Sequence, residues 1–120
     1  MKKILIIEDD PTTLKILQSR LLDGAEVSIS VDPEEGVRRA EEEQPDLLVL
    51  DVIMQGKSGE EVLEELKKNE KTKDIPVIVF TNFDDEEMEQ KMRKLGVVDY
   101  IVKGMIPLDE VVERILKFVK

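Results

Sequence analysis

The chain has 120 residues, 41% of them hydrophobic, which suits one domain with a single core. It has no cysteine and no histidine, which excludes disulfides, thiol chemistry, histidine catalysis and the usual zinc sites. A formal charge of -10 argues against direct contact with nucleic acid or an anionic membrane surface.

No stretch approaches the roughly 18 apolar residues of a membrane span. Lys2 and Lys3 precede an apolar run that stops at Glu8, too soon for a signal-peptide core, so the protein is expected in the cytoplasm. That run, Ile4 to Ile7, reads as a first buried strand ending in Glu8-Asp9-Asp10. Asp10 then caps a helix opened by Pro11. Leu14, Ile16, Leu17, Leu21 and Leu22 are expected on its apolar face, and Gly24 closes it. Val27, Ile29 and Val31 alternate with serines, the pattern of a half-exposed edge strand. Asp32-Pro33-Glu34-Glu35 starts a second helix, which runs to about Glu43.

Leu47-Leu48-Val49-Leu50 has no polar alternation, so it is expected to be a strand covered on both faces. It ends in Asp51. The loop Val52 to Lys57 leads to Ser58 and Glu61, which have capping-box spacing for a third helix buried along Val62, Leu63 and Leu66. Pro76 to Phe80 is a fourth strand ending at Thr81. The acids Asp84 to Glu87 complement the dipole at the start of a fourth helix, which Gly96 ends; the run Asp84 to Glu89 reads as a solvated face. Tyr100-Ile101-Val102 is a short last strand followed by Lys103-Gly104. Pro107 opens a final helix with Leu108, Val111, Val112, Ile115, Leu116 and Val119 on its buried side.

Alternating strands and helices predict an α/β fold of the flavodoxin-like, doubly wound kind. The expected form is a five-stranded parallel sheet of order 2-1-3-4-5 with five helices, over residues 1–120 as a single domain. In such sheets chemistry sits beyond the carboxyl ends of the strands. Those ends carry Glu8 and Asp9, Asp51, Thr81 and Lys103. Crowded carboxylates repel, and a divalent cation resolves the conflict. Oxygen-only ligands point to Mg²⁺. Lys103 adds positive charge and Thr81 a hydroxyl donor, the equipment that phosphoryl transfer onto Asp51 needs. Asp10 is left out, because capping accounts for it.

The chain resembles the receiver (response-regulator) domains of two-component signalling, and along its whole length the stand-alone chemotaxis-type regulators. The resemblance rests on "ILIIEDDP", "PDLLVLDVIMQGKSG", "PVIVFTN" and "GVVDYIVKG", in order and at the right strand ends. It implies that Asp51 is the phosphoacceptor and that Glu8 and Asp9 hold Mg²⁺, with Asp9 favoured as the direct ligand. It implies the backbone carbonyl of Ile53 as a further ligand. Thr81 and Lys103 would bond phosphoryl oxygens, and Tyr100 would be a switch aromatic that turns inward as Thr81 moves. The implied partners are a histidine kinase or histidine phosphotransfer protein as donor and an unidentified output protein. The implied state is a monomer or a phosphorylation-dependent homodimer. The domain would catalyse only its own phosphorylation and dephosphorylation and would not be an enzyme acting on other substrates.

Three positions depart from the family's habit. Gln55 and Gly104 stand where proline is usual, and Asn82 stands where a small residue is usual. A trans Lys103-Gly104 bond is expected, because cis costs about 2.5–4 kcal/mol without proline. With it the loop is expected to be more mobile or differently routed, and Lys103 less fixed though not lost. Asn82 is expected to hinder or redirect a water at the acceptor, Ile53 and Phe83 to restrict it, and slow hydrolysis of the phosphorylated form is the working hypothesis.

Two rival functions compete with the receiver reading. A receiver-like interaction module that works without phosphorylation is favoured by the three departures and opposed by the intact acidic, Thr81 and Lys103 set. An aspartyl phosphatase would want a second Asp two residues after Asp51, where Ile53 stands. Flavin and P-loop nucleotide binding lack their phosphate loops. Whether the chain is a stand-alone regulator or part of a longer protein stays open.

Overall fold

The structure is a computed structural model and describes residues 1–119. In chain order the elements are β1 (Lys3–Ile7), α1 (Pro11–Leu21), β2 (Glu26–Ser30), α2 (Pro33–Glu43) and β3 (Leu47–Leu50). They continue with α3 (Gly59–Lys68), β4 (Val77–Thr81), α4 (Glu86–Lys94), β5 (Asp99–Val102) and α5 (Leu108–Lys117). The strands form one parallel sheet of order β2-β1-β3-β4-β5, the predicted topology.

Side chains alternate across a strand, so β1, β3, β4 and β5 each feed two cores. Leu5, Ile7, Leu48, Leu50, Val77, Val79 and Tyr100 face one layer, where Ala40 of α2, Leu63 of α3 and Met92 of α4 cover them. Ile4, Ile6, Leu47, Val49, Ile78, Phe80 and Ile101 face the other, under Leu14 and Leu17 of α1 and Val111 and Ile115 of α5. This two-sided burial is why β3 reads as an unbroken apolar run. β2 lies at the edge, as expected. There Arg39 of α2 bonds the Ile29 carbonyl and the Ser28 hydroxyl and occupies part of the open ladder.

Helix starts follow their caps. Asp10 accepts from Thr12 N–H, Asp32 from Glu34 N–H and Asp85 from Met88 N–H, while Ser58 and Glu61 form the full capping box.

Three apolar assignments need correction. Ile16 and Leu22 are exposed, because α1 buries only the narrow stripe of Thr13, Leu14, Leu17 and Leu21. At 3.6 residues per turn Ile16 points about 200° away from Leu14, and Leu22 lies past the last helical residue. Val31 falls outside β2 and is 58% exposed, while Ser30 is the buried end of that strand.

Among the described residues every peptide bond is trans, including Lys103-Gly104. Gly104 has φ 84°, a left-handed value that the ring of a proline forbids. The loop after β5 therefore takes a route closed to a proline-bearing chain.

Candidate functional site

The site is built where β1, β3, β4 and β5 end. The parallel ladder continues one residue past each of these strands except β4. Glu8 N–H donates to the Ser30 carbonyl (3.0 Å), Asp51 N–H to the Ile7 carbonyl (3.2 Å) and Lys103 N–H to the Thr81 carbonyl (2.7 Å). Backbone bonds thus fix the Cα positions of the functional residues, and strand alternation sorts their side chains. Glu8, Asp51 and Lys103 follow the parity of the layer under α1 and α5, while Thr81 shares the opposite layer with Tyr100.

Glu8, Asp9 and Asp51 bring one carboxylate oxygen each to within 4.8 Å of one another, and Glu8 and Asp51 are buried. Lys103 Nζ lies 2.8 Å from Glu8 Oε1 and 3.6 Å from Asp51 Oδ2, with the Phe80 ring centroid 5.6 Å away. The looser hold expected of Lys103 is therefore not seen, because its ammonium is enclosed by two buried acids and an aromatic face. Burial pushes the Glu8 carboxyl up to about 7; the Lys103 ammonium pulls it down and Asp51 pushes it further up. Glu8 Oε2 also accepts from Asp10 N–H (3.1 Å), and Asp51 Oδ1 accepts from Ile53 N–H (3.2 Å). Asp10 itself bonds the N–H of Thr12 and the hydroxyl of Thr13, as its capping assignment required.

An open cavity of about 330 Å³ lies over these groups, lined by Asp9, Asp51, Ile53, Thr81, Asn82, Phe83 and Lys103, and also by Asp10, which the sequence reading left out of the site. Thr81 is fully buried, and its Oγ1 accepts from Phe83 N–H at 3.2 Å. A hydroxyl has one proton and two lone pairs, so that contact leaves its proton free to donate into the cavity. Tyr100 is already inward: it is buried, and its Oη donates to the Phe83 carbonyl at 2.7 Å. Burial, reinforced by the charges of Glu89, Asp85, Asp51 and Asp84, pushes its phenol up to about 12.

Every residue that the sequence nominated lies at or beside this cavity. Three further positions make contacts there that the sequence reading did not assign to them. Gly59 N–H donates to the Val52 carbonyl (2.8 Å), and a Cβ on Gly59 would lie 2.3 Å from the Asp51 carbonyl oxygen. The helix α3 can approach Asp51 so closely only with glycine there. Phe83 joins Thr81 to Tyr100 through its own N–H and carbonyl. Gln55 N–H donates to Asp9 Oδ2 at 3.1 Å. Gly59 closes a motif that carries the family resemblance, and Ser58 before it caps α3. Phe83 and Gln55 stood out in the sequence only as a wall of the opening and as a departure from proline, and the contacts they make run through backbone atoms.

Oxygen donors only, gathered closely enough to repel and balanced by a single ammonium, fit a hard divalent cation such as Mg²⁺.

The model of the response regulator receiver domain family matches residues 4–116. PilH of Pseudomonas aeruginosa is 35% identical over 118 residues, covering 98% of this chain and 93% of PilH. The alkaline phosphatase synthesis transcriptional regulatory protein PhoP of Bacillus subtilis is 35% identical over 107 residues, but there the chain spans only 44% of the relative. Among solved structures, the Mn²⁺-bound form of response regulator Rcp1 superposes with TM-score 0.83 at 28% identity, over 98% of this chain and 91% of that one.

Proposed function

The chain belongs to the response regulator receiver domain family, and on that premise we propose that it is a phosphorylation-operated switch whose acceptor is Asp51. Receiver domains are signalling domains of two-component systems that work with histidine kinases. The observation that carries the reading is the meeting of the Glu8, Asp9 and Asp51 carboxylates within 4.8 Å beneath Lys103, at the mouth of an open cavity.

The donor is a phosphohistidine on a histidine kinase or phosphotransfer protein. A carboxylate oxygen of Asp51 forms the new P–O bond as the donor's P–N bond breaks, and the imidazole leaves. Thr81 donates its hydroxyl proton to a phosphoryl oxygen, and Lys103 exchanges part of its contact with Glu8 for the arriving negative charge. Asp9, Asp51 and the Ile53 carbonyl would hold Mg²⁺, with Glu8 in support. When bound, the ion supplies the positive charge that offsets the phosphoryl oxygens. The Mn²⁺-bound form of Rcp1 supports a divalent site in this fold. Tyr100 and Thr81, coupled through Phe83, carry the change to the surface around β5 and the last helices, where an output protein binds. Residues 1–120 act in this as one receiver unit. Ile53, Asn82 and Phe83 line the acceptor's cavity and limit water, so the acyl phosphate decays more slowly than a free one.

The test is intact mass after incubation with acetyl phosphate and Mg²⁺. The expected result is a gain of one phosphoryl group that is lost in Asp51→Asn and on chelation. A folded protein that never gains it would instead be an interaction module independent of phosphorylation.

A further inference from the structure

The three acids of the cluster are not equally held. Glu8 is fixed by Lys103 and by Asp10 N–H, and Asp51 by Ile53 N–H and Lys103. Asp9 is only half-buried, and among the described residues its single hydrogen-bond partner is the backbone N–H of Gln55. The contact spans 46 residues and ties the loop after β1 to the loop after β3. That second loop is itself anchored at its far end by Gly59 N–H on the Val52 carbonyl.

An aspartate beside two buried carboxylates is pushed toward solvent by like charge. A donor on one of its oxygens opposes that swing and keeps the carboxylate in the cluster. The Gln55 side chain is exposed and takes no part, so the effect belongs to the main chain.

We propose that the Gln55 backbone N–H is a positioning group for the divalent-cation site, orienting Asp9 before the ion arrives. This rests on the metal reading above. Any residue but proline supplies the donor at position 55, and proline removes it. Outer partners that orient a ligand contribute about 10- to 100-fold to metal affinity.

The experiment is calorimetric titration of Mg²⁺ into the full chain, with no phosphodonor present. Four proteins are compared: the natural chain, Gln55→Ala, Gln55→Pro, and a chain whose Met54–Gln55 peptide is replaced by an ester. The ester removes the N–H without adding a ring. Gln55→Ala is expected to bind as the natural chain does, and both donor-less chains to bind about tenfold more weakly. Affinity unchanged in the ester chain overturns the proposal, and so does an equal loss in Gln55→Ala. A natural chain that binds no Mg²⁺ defeats the metal reading itself, which distinguishes that failure from a failure of the Gln55 contact.

Discussion

Lys103 is closer to Glu8 than to Asp51. Its Nζ stands 2.8 Å from Glu8 Oε1 and 3.6 Å from Asp51 Oδ2, and the side chain is only 12% exposed. One ammonium thus serves two buried acids, and it is shared unequally before any phosphoryl group arrives.

Removing that ammonium leaves the acids facing each other. Lys103→Met is expected to destabilise the metal-free protein by about 3 kcal/mol, the low end for breaking a buried pair, because Glu8 can take up a proton. Saturating Mg²⁺ should restore much of the loss by supplying the missing charge. Urea denaturation with chelator and with Mg²⁺ measures both, and equal losses in the two conditions would contradict the charge-balance role.

The raised Glu8 carboxyl sets a pH dependence with a definite sign. Its folded value, about 7 against an ordinary 4.5, means that the folded protein holds this proton more tightly than the unfolded chain. Where the unfolded chain has lost the proton and the folded one keeps it, each rise in pH favours unfolding. The stability contribution is therefore complete below about 4.5 and is lost as pH rises to about 7. Glu8→Gln should flatten the decline in urea midpoint of the metal-free protein across that window. Parallel curves for the two proteins would assign the slope to other groups.

Tyr100 is the single tyrosine, so its phenol can be titrated directly by ultraviolet absorbance. The folded protein should ionise near 12, and the denatured chain near the ordinary 10.0. The neutral phenol is favoured by folding, so its contribution holds below pH 10 and fades as pH climbs toward 12. Tyr100→Phe takes the partner from the Phe83 carbonyl and should cost about 1 kcal/mol. A phenolate band that rises at the ordinary pH while circular dichroism stays native would show that the hydroxyl is not enclosed.

Gly59 and Gly24 make a contrasting pair. A Cβ on Gly59 meets the Asp51 carbonyl oxygen at 2.3 Å and the Val52 Cα at 2.6 Å, both backbone atoms. On Gly24 it meets only the Leu116 side chain, at 2.9 Å, which can turn aside. Gly59→Ala should cost about 3 kcal/mol and lower phosphoryl uptake by displacing Asp51, whereas Gly24→Ala should cost far less. Chemical denaturation of the two variants side by side decides it.

Much of this was legible in the chain, residue by residue. Leu47 to Leu50 declared a doubly covered strand because nothing polar interrupts it, and Asp51 stood out because a carboxylate at such an end has no core to join. Asp10, Asp32, Ser58 and Glu61 announced helix starts through side chains that cap locally. Ile16 and Leu22 are apolar yet exposed, because the helical angle of one and the position of the other beyond the helix end rule out burial. Nor is Lys103 loose: Gly104 does reroute the loop, but Glu8 reaches across the sheet to hold the ammonium.

The sequence by itself determined the elements, their caps, the sheet's two-sided core and the residues gathered at its carboxyl edge. Each of these depends on periodicity or capping within a few neighbouring positions, and local chemistry records it. Only the tertiary structure decided who holds whom at that edge. Glu8 and Lys103 are 95 residues apart, Asp9 and Gln55 are 46 apart, and Phe83 and Tyr100 are 17 apart. The last two contacts run through backbone N–H and carbonyl groups that nearly every residue carries. Side-chain identity says nothing of where such groups will point until the chain has closed around them.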